Sequence, residues 1–434
     1  MLYKKSFWFL ITVVAVLLTA GIALSSSTIA SSSTASYLGP EIIISDPART
    51  SDEYRPKIAY NSKHNEYLVV WENMWGWGGH HDVYARRVSA DGRVLSWFAV
   101  TSASHTNKQK NPSVAYDPIY DRYLVVFAYD VVGDESNWDI YGRFIPWNEP
   151  DINLVDFAIC DWPSNQMRPV VAYAGTQQEF LVTWTNAPVG QPTYISARRV
   201  YADGNMPFSP FLITSGPENR DYQDVTYNLH RNEYLVTYDV DIGVTKFDIY
   251  GVRLSGTGSF LTGGKFNVVG EFPIAGWPSD EERPAVAACD KADQYLVAWQ
   301  SDDYTGGADY SIYAYYLNGD AFPETVTMIS DTTLPQMYVD VACNAAGQGY
   351  LLTWQDKYVG GEFGIWARQA SPSKSLGPEF EVVGPRQNAD RQFPAVAGGA
   401  SNFMTAWEHD RDDGNIDIHG RLLGYKTYLP MVKR

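Results

Sequence analysis

The sequence has few of the residues that usually mark an enzyme active site. Its seven histidines are scattered over 434 residues, and only His80 and His81 are adjacent. No G-x-S-x-G motif and no phosphate-binding glycine loop is present. These absences exclude a recognisable hydrolase nucleophile, a nucleotide-binding loop and a histidine-rich metal motif.

Cysteine is also scarce. Cys160, Cys289 and Cys343 are an odd number and lack the spacing of a metal site. They exclude a disulfide framework of the kind that holds small secreted domains together. We expect all three to be buried free thiols.

Basic residues are outnumbered by acidic ones. The chain has 33 Lys and Arg against 50 Asp and Glu, which gives a formal net charge of −17. A surface of this sign repels nucleic acid and anionic lipid. It suits divalent cations or a basic partner, and no nucleic-acid ligand is expected.

Only one hydrophobic run is long enough to approach a membrane span. It extends from Phe7 to Leu24, after Lys4 and Lys5 and before a serine-rich segment. This order predicts an export signal, and an uncleaved membrane anchor is the alternative. We therefore expect a secreted, extracellular or cell-surface protein, with membrane contact only through this segment. The predicted regions are 1–36 (signal or anchor with linker), 37–424 (folded body) and 425–434 (tail).

What the sequence does have is a long-period repeat. Its first signature has the form X-Pro-x-Val-Ala-Tyr and occurs at residues 55–60, 111–116 and 168–173, with weaker copies starting at 222, 283, 338 and 393. The central apolar residues of successive copies are 54 to 61 positions apart. A period this steady marks a repeat architecture.

Three further strand-like segments complete each unit. An apolar run of the form Tyr-Leu-Val-x-Trp, first seen at residues 67–71, predicts a strand buried on both faces. An Asp-Ile-Tyr-Gly-Arg segment follows, as at 139–143, and a less regular run ends the unit. Turn motifs such as residues 90–92 (Ala-Asp-Gly) suit hairpins, and no helical periodicity follows the N-terminal run. The sequence thus predicts seven units of four antiparallel strands.

Sheets that are apolar on both faces must pack around an axis, so the predicted fold is all-β, a seven-bladed β-propeller. The last unit supplies only three strands, which end near Leu422. Residues 38–41 repeat the Leu-Gly-Pro-Glu of residues 376–379, which begins the outer strand of the sixth unit. We therefore expect Glu41 to Ser45 to provide the missing outer strand and to close the ring.

These repeats resemble the seven-bladed propellers of many secreted bacterial proteins and, distantly, the WD40-like and TolB-like repeat groups. The resemblance covers Leu38 to Leu423 and implies the propeller fold. It implies no particular activity, because a shared fold does not determine function. The C-terminal tail resembles the short Tyr-Leu-Pro endings of some exported bacterial proteins.

Successive strands of a unit run in opposite directions. The loops between second and third strands therefore lie on the same side of the propeller as the connections between units. We call this side the loop-rich face. Its loops are acidic and carry aromatic rings suited to stacking on sugars or to cation–π contact with a basic partner, with capping of the hydrophobic layers as the alternative role. The aromatic candidates are Trp75, Trp77, Trp138, Tyr304 and Tyr358.

Arginine recurs beside the inner strand, where a propeller brings its side chains towards the mouth of the central channel. Several arginines there could bind an anion or a carboxylated sugar. Each could instead pair with a neighbouring acid such as Asp52, Glu282 or Asp390. The arginine candidates are Arg55, Arg168, Arg283 and, displaced from the shared position, Arg391.

The densest acidic run suggests calcium, which needs six to eight oxygen ligands from a bent backbone. It differs from an EF-hand because its glycine comes one place early and no glutamate ends it. Asp417 also occupies the place at the start of the third strand where aspartate recurs in other units. The metal candidates are Asp410, Asp412, Asp413 and Asp417.

The leading functional hypothesis is an exported, non-enzymatic binding or scaffold protein that recognises a carbohydrate or a protein through the loop-rich face. One alternative is a carbohydrate-active hydrolase or lyase with acidic and arginine residues at the channel mouth. Another is a structural component of the cell surface. An enzyme would need acids within about 5–10 Å of one another, and no residue is predicted to be catalytic.

Overall fold

The computed structural model describes residues 36–46, 50–75, 79–101, 107–148, 155–243, 246–264, 268–302, 310–330, 334–385, 389–411 and 413–425. These residues form seven antiparallel sheets arranged as the blades of a β-propeller, which confirms the predicted fold. In blades 1 to 6 the chain runs from the inner strand to the outer strand. The predicted signal segment and most of the predicted tail lie outside the described residues.

Blades 1 to 7 share one strand plan. The inner strands are Asp52–Asn61, Gln109–Asp117, Asn165–Ala174, Arg220–Asn228, Glu281–Cys289, Gln336–Cys343 and Arg391–Gly398. The second strands are Glu66–Trp75, Arg122–Asp130, Glu179–Ala187, Glu233–Gly243, Gln294–Ser301, Tyr350–Lys357 and Asn402–Asp410. The third strands are His80–Ser89, Trp138–Pro146, Tyr194–Tyr201, Lys246–Ser255, Ser311–Asn318, Phe363–Ala370 and Ile416–Tyr425. The outer strands of blades 1 to 6 are Val94–Ala99, Phe157–Cys160, Phe211–Leu212, Phe272–Ala275, Pro323–Ser330 and Leu376–Val383.

Two small elements depart from this plan. A hairpin of Thr262–Gly263 and Val268–Val269 lies between the third and outer strands of blade 4. It accounts for the longest repeat spacing, which falls between blades 4 and 5. The only helix among the described residues is the short 3₁₀ turn Asp290–Ala292, so none of them forms a helix long enough to span a membrane.

The second strand of each blade is buried on both faces, as its continuous apolar run predicts. In blade 1, Leu68, Val69 and Val70 are fully buried. Leu68 and Val70 pack with Val125 of blade 2, whereas Val69 packs with Met404 of blade 7. Alternate residues of one run therefore serve two different cores between blades.

The N-terminal segment closes the ring, as predicted. Ser36–Leu38 and Ile42–Ile43 both pair antiparallel with the third strand of blade 7. Between them, the N–H of Gly39 donates to the carbonyl of Leu422 at 2.9 Å. Pro40 has no N–H to donate, which fits the break between the two short strands.

At four junctions an arginine of the third strand ties the outer strand of the preceding blade to its own blade, and one of these junctions is the ring closure. Arg86 of blade 1 donates to the carbonyls of Ile44 at 2.9 Å and Ser45 at 3.1 Å. The equivalent bonds between blades 2 and 3, 5 and 6, and 6 and 7 are Arg198 to Ile159, Arg368 to Ile329 and Arg421 to Val382. Ile44 thus occupies the place of an ordinary outer-strand residue.

A hydroxyl at the end of the outer strand makes a second recurring contact. Thr101 and Thr214 accept the N–H of a third-strand residue at 2.9 Å in blades 1 and 3. In blade 7 this acceptor is Ser45, which binds the N–H of Ile418 at 3.0 Å. The N-terminal segment therefore reproduces the side-chain chemistry of an outer strand as well as its pairing.

The cysteine prediction was wrong for two of the three residues. Cys289 and Cys343 form a disulfide with their Cα atoms 5.4 Å apart, and Cys160 is a buried free thiol. The two paired residues end the inner strands of blades 5 and 6. Their separation of 54 residues is close to one repeat, so the ring brings together residues that look isolated in sequence.

Candidate functional site at the channel mouth

Every inner strand carries one extra residue relative to the second strand that it pairs with. In blade 1 the pairing shifts between Tyr54 and Lys57, and equivalent shifts occur in the other six blades. The bulge residues have φ angles of 49° to 56°, a left-handed region that non-glycine residues rarely adopt. Proline, which cannot donate to the ladder, follows five of them. These seven rim residues are Arg55, Asn111, Arg168, Tyr222, Arg283, Tyr338 and Phe393.

Hydrogen bonds from neighbouring blades hold this unusual backbone in place. In five blades the backbone N–H of the rim residue donates a hydrogen bond of 2.8 to 3.2 Å to a side chain of the preceding blade. The accepting residue is the one directly after the aromatic residue that ends the Tyr-Leu-Val-x-Trp run of that blade. These latch residues, with their rim partners, are Glu408 (Arg55), Glu72 (Asn111), Asp239 (Arg283), Gln300 (Tyr338) and Gln355 (Phe393). The rim is therefore rigidly built, which suits a preorganised binding site.

Burial changes the acid–base behaviour of the latch acids. It raises the pKa of Asp239 to about 8 and the pKa of Glu408 to about 7. Burial would also raise the pKa of Glu72, but the hydrogen bond with His81 and the charge of Arg55 lower it overall. Gln300 and Gln355 fill the same position without a charge.

The rim side chains line a cavity of about 360 Å³ at the mouth of the channel. The mouth opens on the loop-rich face, because the inner strands begin there beside the ends of the second strands, as the pairing of Glu53 with Asn73 shows. A cavity of this size lies at the lower end of the range for small-molecule sites.

Arginine and aromatic side chains form a continuous stack along blades 3 to 7 of the rim. The guanidinium carbons of Arg168 and Arg283 lie 4.3 and 3.9 Å from the ring centre of Tyr222. Arg283 also lies 4.8 Å from the ring of Tyr338, which contacts Phe393 at 4.4 Å. Cation–π contacts of this kind fix the guanidinium groups without neutralising them.

Two of the three rim arginines, Arg168 and Arg55, lie close to an acid and differ in how strongly they contact it. Arg168 forms an ion pair with Asp221. Arg55 lies 3.7 Å from Glu72, and 54% of its side chain is exposed. These acids are not the sequence neighbours that we considered as partners. Arg55 in particular remains accessible to a ligand.

A second layer of charged residues lies deeper in the cavity. Lys57, Asp224 and Asp340 line it two residues after the rim positions. Each carboxylate accepts two backbone N–H groups at 2.8 to 3.0 Å, one from its own blade and one from the next. Burial raises the pKa of Asp224 to about 6, and the charge of Asp340 adds to this while Lys57 opposes it.

Four of the other predicted ligand-binding residues, Arg391, Trp138, Trp75 and Tyr358, do not line this cavity. Arg391 is buried, donates to the carbonyl of Ala389 at 3.0 Å and precedes the rim residue Phe393 by two positions. Trp138 is buried in the core between blades 2 and 3, and Trp75 is partly buried between blades 1 and 7. Both tryptophans thus cap hydrophobic layers.

Tyr358 lies at the edge of blade 6. Its hydroxyl donates to Glu381 at 2.6 Å and accepts a 2.8 Å bond from the indole N–H of Trp366. These contacts give it a local structural role. Trp77 and Tyr304 lie outside the described residues.

An arginine lies among the predicted calcium ligands. Nη1 of Arg411 is 3.4 Å from Asp417, and its Nε is 3.3 Å from Asp413. The buried Asp417 also lies 3.3 Å from the hydroxyl of Ser45, across the ring closure. Asp410 ends the second strand of blade 7, and Asp412 lies outside the described residues. Calcium binding here stays a prediction.

Four rim residues were not singled out by the sequence analysis, namely Asn111, Tyr222, Tyr338 and Phe393. The signal that could have found them is the first position of the X-Pro-x-Val-Ala-Tyr repeat, which all seven rim residues occupy. Arginine occupies three of these seven positions and aromatic residues occupy three others.

No protein-family model and no curated protein sequence matches this chain. Solved structures resemble it in fold at low identity. A protein of unknown function from Dyadobacter fermentans is 9% identical, with a TM-score of 0.51 over 90% of this chain and 99% of that one. A fungal alcohol oxidase of the AA5 family, solved with copper, is 10% identical with a TM-score of 0.53 over 90% and 76%. The β-propeller domain of the Trilobed protease from Pyrococcus furiosus is 9% identical with a TM-score of 0.51 over 88% and 98%. These similarities show the propeller fold and nothing finer.

Proposed function

We propose that this protein is an exported binding protein whose channel mouth takes a short carboxylate-bearing carbohydrate. The observation that carries the proposal is the rim itself. Three arginines and three aromatic rings surround one cavity of about 360 Å³ on the loop-rich face. Arginine binds carboxylates through two parallel hydrogen bonds, and aromatic faces stack on sugar rings.

Charge distribution limits the length of the ligand. The whole chain carries a formal net charge of −17, whereas the rim carries three arginines. A long polyanion would be repelled by the acidic surface outside the mouth, while one or two acidic sugars would meet mainly the rim. The ligand class that fits is therefore a uronic-acid monosaccharide or disaccharide.

Calorimetric titration with a uronic-acid disaccharide and with the corresponding neutral disaccharide tests the proposal. We expect the acid to bind at least about 10-fold more tightly and to lose affinity as salt is raised. The double variant Arg168→Gln/Arg283→Gln should abolish this preference. Arg93→Gln is the matched control, because Arg93 lies in a turn on the opposite face with 74% of its side chain exposed. Equal affinity for the two sugars, or an unchanged double variant, would contradict the proposal.

The second candidate function is hydrolysis of the same ligand class. The raised pKa of Asp224, about 6, is the observation that favours it, because a general acid must hold its proton near neutral pH. Chromatography of the disaccharide after incubation would reveal monosaccharide products if the protein is a hydrolase. Loss of products with retained binding in Asp224→Asn would establish this candidate, and an intact disaccharide would remove it.

A further inference from the structure

Two histidines and a glutamate that are distant in sequence meet on one face of blade 7. His409 pairs with Asp417, and His419 pairs with Ile43 of the N-terminal segment. Side chains two residues apart on a strand share a face. His409, His419 and Glu41 therefore lie in a row across the second, third and outer strands.

The ligand atoms of these three residues converge. Nδ1 of His419 is 2.8 Å from Oε1 of Glu41, and Nδ1 of His409 is 3.8 Å from the same oxygen. The two imidazole rings stack with their centres 4.0 Å apart and their planes within 5°. Both histidines are buried, while 30% of the Glu41 side chain is exposed.

We propose that Glu41, His409 and His419 bind a divalent transition metal of the zinc class. All three ligand atoms lie within 4.8 Å of one another. Tetrahedral zinc with bonds of about 2.0–2.2 Å holds neighbouring ligand atoms roughly 3.3 Å apart. The separations of 2.8 and 3.8 Å bracket that value. Because an imidazole nitrogen binds a metal in the plane of its own ring, one of the two stacked rings must turn out of the stack before both can share the ion. The exposed side of Glu41 leaves the fourth position to water.

The donor set decides which metals fit. Two imidazole nitrogens and one carboxylate oxygen suit zinc, copper, nickel or cobalt, whereas calcium and magnesium prefer all-oxygen sites. The positive charge of Arg391 acts on Glu41 and therefore works against cation binding. A divalent ion with strong nitrogen affinity can overcome this opposition better than a weakly bound one.

The position of the site gives the metal a structural consequence. Glu41 belongs to the segment that closes the ring, whereas His409 and His419 belong to blade 7 itself. A metal bound to all three would link the closing strand to the two strands beside it. Because the unfolded chain separates Glu41 from the histidines by more than 360 residues, the metal binds the native state preferentially and stabilises it.

The test uses the chain freed of metal by a chelator and then dialysed. Zinc chloride is titrated by calorimetry, and the melting temperature is measured with zinc, calcium or magnesium chloride. We expect one zinc per chain and a rise in melting temperature with zinc only. Cobalt(II) bound at the same site should give the intense visible absorption of a four-coordinate ion, and zinc should remove that absorption.

Glu41→Gln is the main variant, because glutamine keeps the size of the side chain and can still hydrogen bond His419. It should weaken zinc binding by more than the roughly 10- to 100-fold that loss of an outer-shell partner costs. His419→Gln should do the same. His64→Gln is the control, because His64 contacts Asp121 in blade 2 and lies outside the cluster. Absence of zinc binding by the unaltered chain, or unchanged zinc binding in Glu41→Gln, overturns the proposal.

Discussion

The hydroxyl of Tyr222 accepts a 2.9 Å hydrogen bond from Nη2 of Arg283. The same hydroxyl lies 3.4 Å from Nη2 of Arg168, and both guanidinium groups lie over the tyrosine ring. One tyrosine of blade 4 therefore orients the arginines of blades 3 and 5. In the proposed site Tyr222 is a positioning residue for the carboxylate-binding pair.

Tyr222→Phe should weaken binding of the uronic-acid disaccharide by about 10-fold. It removes the hydroxyl that orients two guanidinium groups but keeps the ring beneath them, so the ligand loses only part of the roughly 1.5–3 kcal/mol that a hydrogen bond to a charged group is worth. Binding of the neutral disaccharide should change little, and calorimetry measures both. Tyr358→Phe is the matched control, since it removes a tyrosine hydroxyl at the edge of blade 6. An equal loss for the acidic and neutral sugars would count against a role in orienting arginines.

Glu408 makes the stability of the ring closure depend on pH. Its pKa is about 7 in the folded protein because of burial, against an ordinary value of 4.5. As the pH rises, the Glu408 carboxyl therefore loses its proton in the unfolded state before it does so in the folded state. The free energy of unfolding is highest below about pH 4.5 and falls as the pH rises to about 7. Glu408→Gln should remove up to about 3 kcal/mol of this loss.

The chain itself supplies the control for this prediction. Gln355 occupies the same latch position in blade 6 and accepts the N–H of Phe393 at 3.0 Å. Gln355→Glu should therefore add a loss of stability over the same pH range. Urea unfolding between pH 4.5 and 8 measures both variants, and parallel curves for all three proteins would contradict this account of the latch.

Ser45→Ala should destabilise the protein by about 1–3 kcal/mol. The change leaves the buried N–H of Ile418 without its acceptor and removes the contact with Asp417. Thr214→Ala removes the same bond within blade 3 and should cost a similar amount. Removal of residues 37–45 should cost more, because it exposes the edge of blade 7. An unchanged urea midpoint in Ser45→Ala or in the deletion would argue against closure by this segment.

The disulfide between blades 5 and 6 should contribute about 2–4 kcal/mol to stability. Replacing both Cys289 and Cys343 with serine, or adding a reductant, should lower the melting temperature because either change removes this contribution. Cys160→Ser is the control variant, because Cys160 forms no disulfide. We expect the melting temperature of Cys160→Ser to be the same with and without added oxidant. Equal melting of reduced and oxidised protein would show that the bond adds nothing.

The fold could be predicted because the repeat appears in local sequence. Continuous apolar runs such as residues 67–71 require a partner on each face, and a ring of blades provides one. Ring closure was also predictable, because residues 38–41 repeat the start of an outer strand. The disulfide was missed because the adjacency of Cys289 and Cys343 depends on the packing of blade 5 against blade 6.

The binding site was only partly predictable. Arg55, Arg168 and Arg283 were found because their position in the repeat is shared. Arg391 was included by residue type, but it lies two residues before the bulge and its side chain is buried. The bulge is a backbone feature, and it is the bulge that selects which side chain enters the mouth. The Glu41 cluster had no signal because Glu41 meets the two histidines of blade 7 only when the N-terminal segment closes the ring.

The most direct test of the central claim is a crystal structure of the protein with the uronic-acid disaccharide. We predict density for the sugar in the channel mouth, with its carboxylate within hydrogen-bonding distance of Arg168 or Arg283 and a sugar face against Tyr338 or Phe393. Density for the sugar on the opposite face or along the outer strands, with the mouth free of ligand at saturation, would contradict the account.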